Sequence, residues 1–171
     1  LDENDKEIAR HEMNMGGFFR LLRLATNGNF LYTASRTSVK ELTPGGATVR
    51  ELDLTTLTPE SAKPYFMEEM DDGGYFISTG FGATILVVDK DWKLIKSYGG
   101  KGKLEGIATH FFADAQQLAN GHVVVAHWTG HKREDSQKAP QAIEFDENGK
   151  VVWTWHDAKR AGTLHGIEII E

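Results

Sequence analysis

Hydrophobic residues come in short runs along the chain, and polar turns rich in Gly, Asn and Asp separate these runs. No segment keeps the period of about 3.6 residues that an amphipathic helix requires. One kind of turn contains Gly28, Gly73 and Gly121, spaced by 45 and 48 residues, and a run rich in β-forming residues follows each glycine. Such runs joined by glycine turns are typical of antiparallel strands. The pattern therefore predicts an all-β protein with an internal repeat.

A second kind of turn alternates with the first, at residues 42–49, 88–95 and 145–152. Together the two turns divide most of the chain into three units of four strands. A tandem four-stranded unit of about 40 to 50 residues is typical of a β-propeller blade. We therefore predict a single β-propeller domain of four-stranded antiparallel blades over residues 1–171. An all-β sandwich is the alternative that the strand count alone would permit.

Partial units stand at both ends of the chain. Residues 1–8 resemble another copy of the second hairpin, and residues 164–170 resemble one more first strand, which brings the predicted total to 15 strands. Propellers usually have about four to eight blades, so three blades with fragments cannot close a ring. We expect this chain to be the C-terminal part of a longer ring. Closure would come from missing N-terminal sequence or from a second copy.

Two segments resemble known propeller repeats. Residues 145–155 resemble the D-x-x-x-G-K-x-x-W hairpin of quinoprotein-like repeats, in which the Trp, here Trp153, docks between neighbouring blades. Residues 110–124 are similar to the H-x-x-x-x-L-P-N-G-N-x-L-V pattern of bacterial propellers, including arylsulfotransferase-like proteins. The resemblance implies a periplasmic or extracellular location. Because the tryptophan hairpin is complete only once, we expect no bound quinone, and we predict no cofactor and no metal.

Charge and composition exclude several classes of partner. The chain has 19 Lys and Arg against 25 Asp and Glu, a net charge of −6, and no basic stripe, so nucleic acid is not an expected partner. Its longest nearly uncharged apolar stretch, residues 81–88, is too short to span a bilayer. The absence of cysteine excludes disulfides, thiolate metal sites and a cysteine nucleophile.

Blade topology predicts which residues share a face. The longer loops, between the second and third strands and between blades, should emerge opposite the tight turns, and functional groups usually collect on such loops. Five histidines are assigned to the loop face, with Trp128 as a candidate stacking surface and Arg36 as a candidate anion contact. The histidines are His110, His127, His131, His156 and His165. A histidine group of this kind could bind a ligand or a metal, act as an acid or base, or only cap loops through hydrogen bonds.

Three functions fit these observations. The first is binding of a small polar ligand, with carbohydrate favoured, at Trp128, His127, His131, His110, His156 and Arg36 on the loop face. The second is an enzyme that uses the same histidines in a hydrolase, lyase or sulfotransfer-like reaction. The third is a protein-interaction scaffold, because a fold does not determine a function.

Overall fold

The computed structural model of the chain describes residues 3–10, 19–34, 37–58 and 63–170. Its strands form three antiparallel sheets of four strands each, and within each sheet the strands follow chain order. Blade 1 contains β1 (Phe19–Leu24), β2 (Phe30–Ala34), β3 (Ser38–Leu42) and β4 (Thr48–Asp53); blade 2 contains β5 (Met67–Glu69), β6 (Tyr75–Ser78), β7 (Thr84–Val88) and β8 (Leu94–Gly99); blade 3 contains β9 (Phe111–Gln117), β10 (Val123–Trp128), β11 (Ala142–Phe145) and β12 (Val151–Trp155). These boundaries follow the predicted four-strand repeat.

The blades pack face to face, and the middle blade is buried on both sides. In β6, Tyr75 and Ile77 pack toward blade 1, whereas Phe76 between them packs toward blade 3. In β7, Leu86 packs toward blade 1 and Ile85 packs toward blade 3. Because successive side chains of a strand point to opposite faces, an uninterrupted apolar run supplies both interfaces. The core of the molecule therefore lies between the blades.

The tight turns meet the conformational requirement that their glycines imply. Gly28, Gly73, Gly121 and Gly149 all have φ between +80° and +83°. Glycine adopts this region without the steric penalty of a Cβ atom. We call the side of the blades that carries these turns the turn side, and the side that carries the longer loops the loop side.

Both ends of the chain differ from the prediction. Within residues 3–10 the structure has a turn and no strand, and residues 164–170 are not a strand either, so the described residues contain 12 strands rather than 15. The C-terminal segment instead follows β9 through side chains. Gln116 binds both the N–H and the carbonyl of Ile169, and the Asp114 carboxylate accepts from the N–H of Ile167. Without paired backbone groups, no β-ladder forms there.

The described residues contain no α-helix. Two short 3₁₀ turns occur, at Leu54–Thr56 and at Arg133–Gln137, the second of them in the loop between β10 and β11. No helix in the described ranges is long and apolar enough to cross a membrane.

Candidate functional site

His127 is a buried structural histidine near the end of β10. Its ring is fully buried, its Nδ1–H donates to the Pro140 carbonyl at 2.7 Å, and its Nε2 accepts from the backbone N–H of His110 at 2.9 Å. These partners require the neutral tautomer with the proton on Nδ1, because a protonated Nε2 cannot accept. His127 thus joins the loop before β11 to the start of β9. It does not reach the loop-side surface as predicted, since its ring packs inward against Phe112 at 5.7 Å.

Trp128, the next residue, points the other way and forms the centre of an aromatic group. The ring centroid of His131 lies 4.5 Å from it, that of His165 lies 5.2 Å from it in a stacked arrangement, and that of His110 lies 5.4 Å from it. Phe111 packs against the same indole at 5.4 Å. Trp128 is only 4% exposed. Histidines and phenylalanines therefore surround the indole, so Trp128 does not offer the open stacking face that the sequence suggested.

A cavity of about 450 Å³ opens beside this group on the loop side. Residues 108–110 and 128–132 line it, together with Asp135 and Lys138. We call it the loop-side cavity. Its size lies within the range of small-molecule sites. The fold thus brings two of the predicted histidines, His110 and His131, to one shared space.

Two histidines of this group, His110 and His165, favour the neutral state. Partial burial, reinforced by Lys138 and Lys101, lowers the pKa of His110. Burial, reinforced by the charge of His131, also lowers the pKa of His165. A neutral imidazole offers one donor and one acceptor. Among the described residues, no protein group hydrogen-bonds the ring nitrogens of His110, His131 or His165, so these atoms are available to a ligand.

Thr129 adds a polar group that the sequence analysis missed. It lines the loop-side cavity, is only 4% exposed, and its Oγ1 atom is buried with no hydrogen-bond partner in the described part of the chain. A Thr-Gly pair also follows β6, but there Thr79 donates to the carbonyl of Thr84 at 2.9 Å and accepts from its N–H. The repeated pair was a signal in the sequence, but only the structure distinguishes the satisfied hydroxyl from the unsatisfied one.

Positive charge surrounds the cavity. Asp135 accepts from the Lys138 ammonium at 2.6 Å and from the backbone N–H of Lys132 at 3.0 Å. The Lys132 ammonium forms no salt bridge within the described residues. Lys101 lies close enough to His110 to lower its pKa. One carboxylate therefore faces two lysines in the cavity lining, Lys132 and Lys138.

Other predicted contacts lie elsewhere. The Nε2–H of His156 donates to the carbonyl of Ser136 at 2.8 Å and so anchors the β10–β11 loop. His156 does not line the loop-side cavity. Arg36 lies outside the described residues. His122 lies beside a tight turn, where its Nδ1 atom is 2.6 Å from the Glu144 carboxylate. No group of three or more His, Cys, Asp or Glu in the described ranges is arranged to hold a metal ion.

A larger cavity, of about 820 Å³, lies on the turn side between the inner strands. Six carboxylates and one arginine, Arg23, contribute to its lining; the acidic residues are Glu68, Glu69, Asp71, Asp72, Asp114 and Glu168. Burial raises the pKa of Asp114 and of Glu68. The turn side is therefore acidic where the loop side is locally basic.

Solved structures with the same fold include two proteins of different character. A protein of unknown function from Bacteroides caccae matches with a TM-score of 0.70 and 25% identity, over 86% of this chain and 53% of its own. Virginiamycin B lyase from Staphylococcus aureus matches with a TM-score of 0.62 and 13% identity, over 95% of this chain and 50% of its own. A catalytically inactive histidine-to-alanine variant of that lyase, solved with quinupristin, has a TM-score of 0.60 at 12% identity.

These similarities confirm the β-propeller fold. No family model matches the chain, and no curated protein matches it in sequence. The chain spans about half the length of the first two structures described. The quinoprotein-like or arylsulfotransferase-like type that the hairpins suggested is not confirmed, and the similarity at these identities concerns the fold.

Proposed function

We propose that this propeller binds a small polar molecule, a carbohydrate, in the loop-side cavity. The observation that carries the proposal is the Thr129 hydroxyl, which is buried in the cavity wall without a protein partner. An unsatisfied buried polar group costs about 1–3 kcal/mol, so an unused hydroxyl is costly unless a ligand completes its hydrogen bond.

The surrounding groups suit a ligand rich in hydroxyls. His110 and His131 line the cavity, and their ring nitrogens have no hydrogen-bond partner among the described residues. The neutral imidazole that the lowered pKa favours at His110 can both donate and accept. Sugar hydroxyls also donate and accept, which an apolar ligand does not. An aromatic support under the histidines, centred on Trp128, holds these groups in place.

The test is a Thr129→Val variant. With glucose, galactose, mannose, N-acetylglucosamine and glucuronate as probes, at least one should shift the amide resonances of residues 128–132 in the parent protein. Valine has the shape of threonine without the hydroxyl, so binding should weaken by about fivefold or more, equivalent to roughly 1 kcal/mol. Thermal stability should stay the same or rise, because no protein hydrogen bond is lost.

Thr79→Val is the matched control. Its hydroxyl is satisfied by Thr84, so this variant should lose about 1 kcal/mol of stability and keep its affinity for the sugar. The proposal fails if Thr129→Val binds as tightly as the parent, or if the probes shift resonances only outside the cavity. Failure of every probe to bind would favour the scaffold hypothesis.

An enzyme is the second candidate, favoured by the lowered pKa values of His110 and His165. A histidine that is neutral near pH 7 can accept a proton as a general base. One protein of this fold is a lyase inactivated by a histidine-to-alanine change, which is consistent with hydrolase, lyase or sulfotransfer-like chemistry on such a scaffold. Conversion of a bound probe that is lost in His110→Gln, with binding retained, would support the enzyme.

A further inference from the structure

We propose that the loop-side cavity selects an anionic ring compound, a sugar acid rather than a neutral sugar, with its carboxylate beside the Lys132 ammonium. This inference rests on the proposed function and specifies its ligand class. The groups that carry it are Lys132, Thr129 and the histidines that line or border the cavity.

Local charge favours an anion. Lys132 and Lys138 line the cavity, and the one lining carboxylate, Asp135, is already paired with Lys138 at 2.6 Å. The Lys132 ammonium has no salt bridge within the described residues, although its own backbone N–H is held by Asp135 at 3.0 Å. The backbone at Lys132 is therefore fixed, while its ammonium forms no salt bridge and interacts with Asp135, which Lys138 already engages, only at longer range.

The net charge of the chain does not oppose this choice. The chain carries −6 overall, but six of its 25 acidic residues line the turn-side cavity, between the inner strands at the opposite end of the blades. Charges further apart than the Debye length, about 8 Å at physiological ionic strength, are largely screened. An anion in the loop-side cavity therefore interacts mainly with the nearby ammonium groups.

The neutral groups explain why a ring is needed and an ion alone is insufficient. The Thr129 hydroxyl is buried in the wall and has no partner in the described chain. A simple anion beside the exposed Lys132 would leave that hydroxyl and the histidine nitrogens unsatisfied. A ring with hydroxyls and one carboxylate can satisfy both kinds of group at once.

Three probes separate the contributions: D-glucuronate has the ring and the charge, D-glucose has the ring alone, and acetate has the charge alone. Titration calorimetry on the full chain at low ionic strength should give glucuronate an affinity at least about tenfold above each of the others. In Lys132→Gln that advantage should fall to less than about threefold.

Lys150→Gln is the matched control, because Lys150 is an exposed lysine on the turn side whose backbone N–H is also held by a carboxylate, that of Asp146. It should behave as the parent does. Equal affinities for glucose and glucuronate would overturn the anionic selectivity and leave the proposed function standing. Equal affinities for acetate and glucuronate would overturn the ring requirement. Binding of neither ring compound would overturn both proposals.

Discussion

Adjacent residues of one strand have separate tasks at this site. His127 and Trp128 follow each other in β10, so their side chains leave on opposite faces. His127 is buried against Phe112 and joins two segments of backbone through both ring nitrogens. Trp128 faces the loop-side cavity and supports three histidines. The first residue therefore maintains the fold, and the second organises the groups that meet a ligand.

Substitution of His127 should affect stability, and substitution of His131 should affect binding. His127→Ala removes two hydrogen bonds and leaves a cavity in the core, so unfolding measured by denaturant should show a loss of about 2–4 kcal/mol. His131 is exposed, and His131→Ala should change stability by less than about 0.5 kcal/mol while weakening sugar binding. If His127→Ala keeps full stability, or if His131→Ala unfolds the protein, the assignment of the two roles is wrong.

Only part of this residue-level arrangement could be predicted from the sequence. Blade topology correctly assigned the neighbourhood of His110 and His131 to one side, because loop positions follow from strand order. Strand alternation separates His127 from Trp128 and keeps His127 on the buried face of Val123 and Val125. The partners of the buried imidazole come from other segments, Pro140 and the His110 N–H, and could not be predicted from the sequence. The position of Trp92 could not be predicted either. It occupies the turn position that Gly149 holds in blade 3, with φ +63°. Its indole is buried, and the Arg50 Cζ atom lies 4.1 Å from the ring centroid.

At the scale of elements, local turn chemistry defines the blade. The four-strand repeat was predictable because each tight turn needs a residue that tolerates positive φ, and the sequence marks these turns with glycine.

The terminal elements were not predictable, because a strand forms only where a neighbouring strand offers its backbone N–H and carbonyl groups. The segment 164–170 has strand-like alternation, yet Gln116 and Asp114 hold it through side chains. Trp153, expected between blades, is 43% exposed on β12, where the described residues provide no following blade.

Two glycines with nearly equal φ should respond differently to alanine. At Gly121, φ is +83° and a Cβ atom would meet nothing within 4 Å, so Gly121→Ala should cost only the conformational strain, about 1 kcal/mol. At Gly99, φ is +79°, but a Cβ atom would overlap the Phe112 ring and lie 2.8 Å from the Ala83 carbonyl oxygen. Gly99→Ala should therefore cost at least about 2 kcal/mol. Equal melting temperatures for the two variants would contradict this.

Considered as a whole, the described residues form three consecutive blades whose two interfaces hold most of the core. The expectation that a ring is closed by sequence beyond these residues, or by a second copy, stays a prediction. Charge is distributed unevenly between the two sides, with carboxylates around the turn-side cavity and ammonium groups around the loop-side cavity. The two cavities therefore present opposite charge to a ligand.

Global stability should fall when the pH is lowered from 7 to 5. Burial lowers the pKa of His127, and also of His110 and His165, so over this range the unfolded chain, with histidine near its ordinary value of about 6.5, binds more protons than the folded chain. Protonation of His127 would also break the bond from the His110 N–H. Each such histidine contributes at most about 1.4 kcal/mol per pH unit.

Carboxylates contribute to the pH dependence of stability with both signs. Burial tends to raise the pKa of Glu41, but hydrogen bonds from Asn29, Asn27 and Arg50 outweigh it and keep that pKa below its usual range, so its stabilisation is lost only as the pH falls through that lower value. Asp114 has a raised pKa, so its protonation on acidification favours the folded state. Between pH 7 and 5 the histidines and the carboxylates with raised pKa values, Asp114 and Glu68, therefore act in opposite directions, and a histidine variant is needed to separate them. Denaturant unfolding across this pH interval should show a shallower slope in His127→Phe than in the parent protein, whatever the absolute stability of the variant. An unchanged slope would mean that His127 is not a principal source of the pH dependence.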